Sequence, residues 1–244
     1  MRRFLCLLAL AVALPAAAQP KYENVAGAGI RSRPAYDGSK SQRLDVVPIL
    51  DWSRGALFAR SVQGVLEAGA RANLGGGRKL GAQLAYEEGR KSSESSFLRN
   101  NGFGDVDPGV SLGAHVEWDG KIGPAPIVVV ARWRQQTDSD RGAKADLRGT
   151  VGVYESGALG VALFAQSTWA TRKAMRTYYG APGFDPSGGL LYVSGGVLAS
   201  YDLGARWALF GSLEARRLQG DAARSPLAET RSNWVGVAGL GYRF

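Results

Sequence analysis

The sequence is poor in the residues that build disulfides, metal centres and membrane helices. Its 244 residues include one cysteine, Cys6, and one histidine, His115. So few thiol and imidazole groups exclude a disulfide framework and a zinc-type site. After residue 18, the apolar runs, such as residues 124–131, are far shorter than the about 20 residues of a membrane-spanning helix. The sequence therefore excludes both a cysteine- or histidine-based metalloprotein and a helical membrane protein.

The N-terminal segment has the three parts of a secretory signal peptide. Arg2 and Arg3 form a basic start, residues 4–14 are apolar, and residues 15–18 are a proline followed by three alanines. This order predicts cleavage after Ala18 and a mature chain of residues 19–244 that forms a single domain. Cleavage removes Cys6, and the formal net charge falls from +9 to +7 because Arg2 and Arg3 are lost. For an exported basic protein we expect no nucleic-acid partner, and the nearby polyanion is lipopolysaccharide.

Apolar and polar residues alternate along several stretches, most clearly over residues 105–118. One face of this stretch is apolar or aromatic from Val106 to Trp118, and the other carries Asp105, Asp107, His115 and Glu117. A helix would place its apolar residues three and four apart, so the period of two predicts a strand. Such strands, in a chain with 34 glycines, are typical of a barrel wall with lipid on one side and a lumen on the other.

Connections between the predicted strands are alternately short and long. Residues 56–73 decide the count, because two strands with a turn at residues 62–64 place every long polar connection at the same end. We therefore predict an all-β fold: a transmembrane up-and-down antiparallel β-barrel of about 12 strands, with both termini in the periplasm and no helical domain. Ten or fourteen strands stay open as alternatives, and so does a soluble β-sandwich.

All six tryptophans lie near predicted strand ends and on the apolar face of their strands. Three adjoin short connections and three adjoin long ones, as expected of the two aromatic girdles of a membrane barrel. They are Trp52, Trp118 and Trp207, then Trp133, Trp169 and Trp234.

The final strand ends on an aromatic residue, with further apolar residues on the same face. Leu240, Tyr242 and Phe244 alternate with Gly239, Gly241 and Arg243. This ending resembles the last strand of bacterial outer-membrane barrels, which their assembly machinery recognises. The three residues are therefore the predicted assembly signal, with the barrel assembly machinery as a partner.

The predicted lumen carries charges of both signs. Two interpretations stay open: a lumen filled by ion pairs, or a narrow conduit whose charges set its selectivity. The lumen-lining candidates are Asp105, Asp107, His115, Glu117, Arg132, Arg134, Asp146, Arg148, Glu214 and Arg216.

No set of residues predicts catalysis or cofactor binding. His115 is the only possible imidazole base, and Ser111 on the same face lies about 13 Å away along a strand, too far for proton transfer. Asp105, Asp107, Asp138 and Asp140 are suited to a hard cation such as calcium, but solvated loop carboxylates are the preferred interpretation. We expect a protein that is not an enzyme and needs no cofactor or metal.

Basic residues are concentrated in or beside the longer connections, where lipopolysaccharide presents phosphates. Guanidinium groups bind phosphate through two hydrogen bonds. Neutralising Arg172, Lys173 and Arg176 together is predicted to weaken co-purification of lipopolysaccharide and to lower barrel stability in a salt-dependent way. Unchanged lipid and melting at every ionic strength would mean that the rim is only solvated charge. The other rim candidates are Arg33, Lys40, Arg43, Arg90, Lys91, Arg99, Arg141, Lys144, Arg224 and Arg231.

Several short motifs, in register along the mature chain, resemble one family. They begin with a glycine-rich strand and a tyrosine, glycine and serine loop, and they end with the closing aromatic strand. The matching segments are residues 27–39, 47–51, 89–90, 98–107, 168–170, 178–180, 217–227 and 241–244. On these motifs the sequence resembles the MipA/OmpV family of outer-membrane proteins; Tyr179 stands where the family usually has phenylalanine.

The resemblance implies a non-enzymatic outer-membrane barrel. The founding member is described as a scaffold that joins a murein transglycosylase to a murein synthase, so these two enzymes are the implied partners. Other members are regarded as antigens, adhesion factors or porin-like proteins, and the family supplies no catalytic motif. The alternative function for this chain is a narrow porin-like channel for small polar solutes.

Overall fold

The computed structural model describes residues 24–62 and 65–244, and its strands form one closed sheet. Each strand pairs antiparallel with the next, and the last pairs with the first, so the described residues form a barrel of twelve strands. The predicted barrel of about 12 strands is confirmed, whereas the predicted signal peptide lies outside the described residues. The strands are β1 (Val25–Pro34), β2 (Gln42–Arg54), β3 (Leu57–Val62), β4 (Val65–Gly75), β5 (Arg78–Glu87), β6 (Gly109–Ile122), β7 (Ala125–Gln136), β8 (Ala143–Ser156), β9 (Leu159–Ala170), β10 (Gly189–Asp202), β11 (Trp207–Leu218) and β12 (Ser232–Arg243).

Apolar side chains cover the outside of the barrel and polar ones line the inside. On β6, Leu112 and Val116 are 56% and 48% exposed, whereas Ser111 and His115 are 1% and 2% exposed. A soluble β-sandwich would bury these apolar side chains between two sheets. A continuous apolar belt around a closed barrel instead requires lipid as its solvent.

The tryptophans lie on the outer surface at two heights. Trp133 and Trp169 are both paired with Ala145 in the strand register, so they sit at the same height near one end. Near the other end, Trp207 is paired with Tyr242, and their rings meet edge to face with centroids 5.1 Å apart. These are the interfacial girdles that the sequence predicted.

The two ends of the barrel differ in the length of their connections. At the short-turn end, β2 and β3 are joined by residues 55–56, β10 and β11 are joined by residues 203–206, and Val25 lies opposite Arg243. At the long-loop end the connections include residues 88–108, 171–188 and 219–231. In outer-membrane barrels the short turns face the periplasm and the long loops face outward.

Two short helices in the long loops help to cap the outer mouth: α1 (Ser96–Asn100) and α2 (Arg172–Tyr179). The hydroxyl of Thr171 caps α2 by accepting from the N–H of Ala174. Met175 on α2 is buried against Leu191 and Leu218 at the ends of β10 and β11. None of the helices in the described part of the chain is long and apolar enough to cross a membrane.

The strand predicted over residues 105–118 begins later than expected. Here β6 starts at Gly109, because Pro108 has no N–H for the ladder and Val106 instead forms an isolated bridge with Arg90. Asp105 and Asp107 are consequently exposed in the loop of residues 88–108. Their predicted place in the lumen is wrong.

Candidate functional site

A chain of ion pairs fills the interior of the barrel between β3 and β8. Asp146 accepts hydrogen bonds from Arg132 at 3.3 Å and from Arg134 at 2.9 Å. Arg132 also donates to Glu67 at 2.7 Å, and Arg134 donates to Glu87 at 2.8 Å. Asp146 and Glu67 are each 4% exposed. Since these charges are removed from solvent, their mutual compensation is what makes them tolerable.

The same chain of ion pairs continues toward the short-turn end. Glu67 pairs with Arg60 at 2.5 Å, and Arg60 reaches Glu117 at 3.2 Å. Lys79 pairs with Glu117 at 2.8 Å and with Asp119 at 2.5 Å. These contacts join strands that share no backbone hydrogen bonds, such as β3 with β6. They brace the barrel across its lumen.

A second group of interior charges lies on the opposite wall. Arg216 pairs with Asp37 at 2.7 Å and with Glu214 at 3.3 Å. On β1 and β2, Arg31 pairs with Asp45 at 3.0 Å. Glu214 and Arg216, both predicted to line the lumen, therefore contact each other.

A layer of side chains on the neighbouring strands β8 to β11 lies between two cavities of the lumen. Arg148 lies over the ring of Phe164, with its guanidinium carbon 3.9 Å from the ring centroid. The Phe164 ring covers Gly196, its register partner on β10, so closely that a Cβ there would lie 2.7 Å from a ring atom. Glu214 lies at the same level on β11 and is 2% exposed. The cavities on the two sides share no lining residue.

The upper cavity, on the long-loop side, has a volume of about 180 Å³ and a charged lining. Its residues come from the ion-pair chain, from the ends of β1 and β5 and from α2. They include Tyr36, Val62, Val65, Glu88, Arg90, Tyr178 and Tyr179.

The lower cavity, on the short-turn side, has a volume of about 580 Å³ and is mainly apolar. Val47, Ile49, Leu198 and Phe210 are among its lining residues. It extends to Glu155, next to the turn between β8 and β9, and so reaches the short-turn rim. Sequence analysis missed this cavity, because it predicted an interior that was polar throughout.

His115 lies inside the barrel without a catalytic arrangement around it. Its Nδ1 contacts Oε1 of Gln83, and its ring meets Phe58 edge to face at 5.5 Å. Ser111 donates its hydroxyl hydrogen to Glu87 at 3.0 Å instead. The serine and the histidine are thus turned to different partners.

In the loops, the carboxylates that the sequence suggested for calcium each contact a separate partner. Asp105 accepts hydrogen bonds from the hydroxyl and the N–H of Ser92, both at 2.7 Å, and these bonds lower the pKa of its carboxyl group. Asp140 pairs with Lys173 at 3.2 Å. Within residues 24–62 and 65–244, no three His, Cys, Asp or Glu residues are grouped so as to hold a metal ion.

The three lipopolysaccharide candidates lie on exposed turns of α2, each beside a carboxylate. Arg172 pairs with Asp185 at 2.6 Å, and Arg176 also contacts Asp185. Hydrogen bonds from Arg176 and then Arg172 hold the pKa of Asp185 well below its usual range. Lys173 pairs with Asp140. The cations are thus placed at the outer rim, but their charge is largely offset by neighbouring acids.

Some basic residues predicted for the rim lie inside the barrel instead. Lys144 on β8 points inward and pairs with Glu87 at 3.3 Å. Arg33 pairs with Asp45 at 2.6 Å, and Arg90 is only 6% exposed. Their positions in or beside long connections suggested solvent, but Arg33 and Lys144 lie on the inward faces of strand ends, and Arg90 lies in a loop that folds over the mouth.

The predicted assembly signal lies at the short-turn end, on the outer face. Leu240 and Phe244 are 39% and 48% exposed. Phe244 follows the last residue of β12, and its N–H donates to the carbonyl of Asn24 at 3.0 Å. The guanidinium of Arg206 donates to the Tyr242 hydroxyl. Recognition of these residues by an assembly machinery stays a prediction.

Similar folds occur among solved structures. The NanC porin has a TM-score of 0.50 and 9% identity, and the match covers 91% of this chain and 100% of that one. An outer membrane channel from Pseudomonas putida F1 has a TM-score of 0.49 and 10% identity over 93% and 97% of the two chains. At such identities the first likeness supports the closed barrel fold and nothing about solutes. No curated protein matches the sequence.

One family model covers almost the whole chain. The model described as MltA-interacting protein MipA matches residues 26–244, from the second residue of β1 to the last residue of the sequence. The apolar belt and the girdles described above are those of an outer-membrane barrel. This chain belongs to the MipA family.

Proposed function

We propose that this chain is a non-enzymatic outer-membrane anchor that binds a periplasmic protein of the murein-remodelling machinery at its lower cavity. The family description names an MltA-interacting protein. Together with the family resemblance, it supplies the class of partner: a murein transglycosylase, and with it a murein synthase. The single observation that carries the proposal is the form of the lower cavity. It is mainly apolar, it reaches the short-turn rim, and the layer at Phe164 lies above it.

The lower cavity adds contact surface for a periplasmic partner, which the short turns alone do not provide. Turns such as residues 55–56 offer little area, whereas a stable interface buries about 800 Å² on each partner. A recess of about 580 Å³ lets a partner insert an apolar segment into the barrel. Its lining includes the carboxylates of Asp51 and Glu155 and no basic residue. We therefore expect the inserted segment to carry a lysine or arginine beside its apolar residues.

Site-specific photo-crosslinking in intact cells tests this proposal. A photoreactive residue at Leu198, which lines the cavity, should form an adduct that contains a murein transglycosylase. The matched control is Leu209, which lies near the same end but is 45% exposed on the outside of β11. Adducts from position 198 alone support the proposal. Equal adducts from both positions, or none from position 198 while the barrel is present, contradict it.

A narrow channel is the second candidate function, and the charged interior favours it. Two interior arginines, Arg132 and Arg134, would then contribute to ion selectivity. The anchor proposal expects no stepwise conductance in planar bilayers, because ion pairs such as Arg60–Glu117 and Arg132–Glu67 cross the lumen between strands that are not adjacent. Reproducible steps that change when Arg132 or Arg134 becomes glutamine would favour the channel.

The absence of enzymatic activity is part of the proposal. It is supported by the contacts of His115, whose Nδ1 faces Gln83 while Ser111 bonds to Glu87. A hydrolase would need the base and the nucleophile within hydrogen-bond reach.

A further inference from the structure

The barrel wall has a gap near the long-loop end, between β2 and β5. From Gln42 to Leu50, β2 pairs with β1, but its register with β3 covers only Asp51–Arg54. The β3–β4 pairing does not follow β2 further, since its register ends where Val62 lies opposite Val65. Within the residues that the structure describes, about 26 Å of the β2 edge therefore rises above this pairing without a neighbouring strand. Pro48 fits this edge, because a proline is tolerated where no N–H has to be donated.

Side chains bridge this gap instead of backbone hydrogen bonds. Arg43 on β2 forms an ion pair with Glu94 in the loop of residues 88–108, and Arg31 on β1 does so with Glu88. Arg33 lies 3.9 Å from the second oxygen of Glu88. Arg31 is itself buried, but the Arg43–Glu94 pair is partly exposed on both sides, and such a pair is weak compared with a strand ladder. The bridge can therefore open without unfolding the barrel.

The upper cavity lies directly behind the gap. The hairpin residues Val62 and Val65 form part of its lining, together with Glu88 from the bridge. Tyr178 and Tyr179 of α2 line it near the mouth, and the layer at Phe164 lies between it and the lower cavity. The gap thus borders this cavity at the side of the barrel.

Arg90 is a buried cation in this cavity, and no ion pair of the described residues compensates it. It is 6% exposed, and its guanidinium donates to the backbone carbonyls of Tyr178 at 2.7 Å and Gly104 at 3.3 Å. Its Nε is buried and has no hydrogen-bond partner in the described part of the chain, where Arg90 also forms no ion pair. An arginine stays charged in proteins, and burying that charge alone is costly. A bound anion would compensate it.

The size and chemistry of the cavity limit the anion. A volume of about 180 Å³ is enough for one small oxyanion group with a few water molecules. Tyr36, with its ring centroid 6.0 Å from the Arg90 guanidinium carbon, and Tyr178 add aromatic walls to the cavity. Guanidinium groups match the geometry of phosphate oxygens.

We propose that the upper cavity binds a phosphate group at Arg90, and that the group enters sideways through the gap between β2 and β5. The phosphate belongs either to the headgroup of a lipid in the surrounding leaflet or to a free ion. The site is separate from the lower cavity and from the exposed cations on α2. It is independent of the anchor function.

Thermal unfolding of the purified full chain in a phosphate-free maltoside detergent tests the proposal. The probes are inorganic phosphate against chloride at equal ionic strength, and phosphatidic acid against diacylglycerol in mixed micelles. A ligand that binds the folded state raises the melting midpoint. Phosphatidic acid should raise it more than diacylglycerol, and Arg90→Gln should weaken the apparent affinity about tenfold or more. Arg90→Lys should keep part of the response because it keeps the charge.

The matched control is Arg99→Gln, which removes an arginine from the same loop. Arg99 is exposed and donates to the carbonyl of Ser93 at 2.6 Å, outside the upper cavity. A response to both inorganic phosphate and phosphatidic acid identifies the phosphate group itself as the ligand; a response to phosphatidic acid alone identifies a lipid headgroup. Equal shifts with diacylglycerol, no shift with either phosphate probe, or the same shift in Arg90→Gln as in Arg99→Gln would overturn the proposal.

Discussion

Replacing Asp146 by alanine is expected to lower the free energy of unfolding by about 3–5 kcal/mol, the range found when one partner of a buried ion pair is removed. Asp146 is 4% exposed and accepts hydrogen bonds from Arg132, from Arg134 and, at 2.7 Å, from Thr168. Its loss leaves two guanidinium groups in the lumen with only Glu67 and Glu87 to balance them. Urea unfolding in lipid vesicles, followed by tryptophan fluorescence, measures the change.

The control for this prediction is Asp138→Ala in a loop at the barrel mouth. The side chain of Asp138 is 63% exposed and lies 3.9 Å from Arg141, so its removal should change stability by less than about 0.5 kcal/mol. Asp146→Asn, which keeps the shape and one acceptor, should fall between the two. If Asp146→Ala unfolds at the same urea concentration as Asp138→Ala, the interior ion pairs do not stabilise the barrel.

Placing an arginine at Leu163 is expected to cost about 2–4 kcal/mol, as for basic residues at the lipid face of a barrel near the bilayer midplane. Leu163 is 47% exposed on the outside of β9, and its register partners are Val151 and Val197 in the middle of their strands. The same vesicle unfolding assay applies. A second readout is the heat-modifiable migration of the folded barrel on gels.

Leu203→Arg makes the same chemical change at the membrane edge. Leu203 is 54% exposed and lies in the turn between β10 and β11, so the cost should be about 0–1 kcal/mol. Equal losses at positions 163 and 203 would show that depth in the bilayer does not control the effect. The assigned lipid-facing belt would then be wrong.

The side of the barrel wall to which each strand residue points could be predicted from the sequence, because it depends only on local alternation. The alternation of Leu112, Ala114 and Val116 with Gly113 and His115 fixes which side chains face lipid, whatever the neighbouring strands do. The division of residues 56–73 into two strands followed from loop lengths, and β3 and β4 confirm it. The prediction from alternation was wrong for Asp105 and Asp107, because the alternation of apolar and polar residues extends beyond the start of β6 at Gly109.

Contacts across the lumen were not readable, because they depend on the tilt and closure of the whole barrel. Glu67 meets Arg132 from 65 positions away in the sequence and from a strand that is not adjacent to it. Alternation places Glu67 and Arg132 inside the barrel, but it gives neither their heights along the barrel axis nor their ion-pair partners. The inward folding of Arg90 likewise depends on how α2 and the loop of residues 88–108 pack over the mouth. Only the three-dimensional structure shows these contacts.

The pairing of β1 with β12 determines the order in which this chain is able to fold. Every other strand pair joins neighbours in the sequence, whereas this pair brings Val25 opposite Arg243. Gly27 faces Gly241 and Gly29 faces Gly239, so these positions contribute backbone but no side chains to closure. The hairpins are low-contact-order units that form early, and the final step carries the loop-closure entropy of nearly the whole chain. We therefore expect closure to be the slow step, and until it occurs the edges of β1 and β12 are both free to pair with another chain.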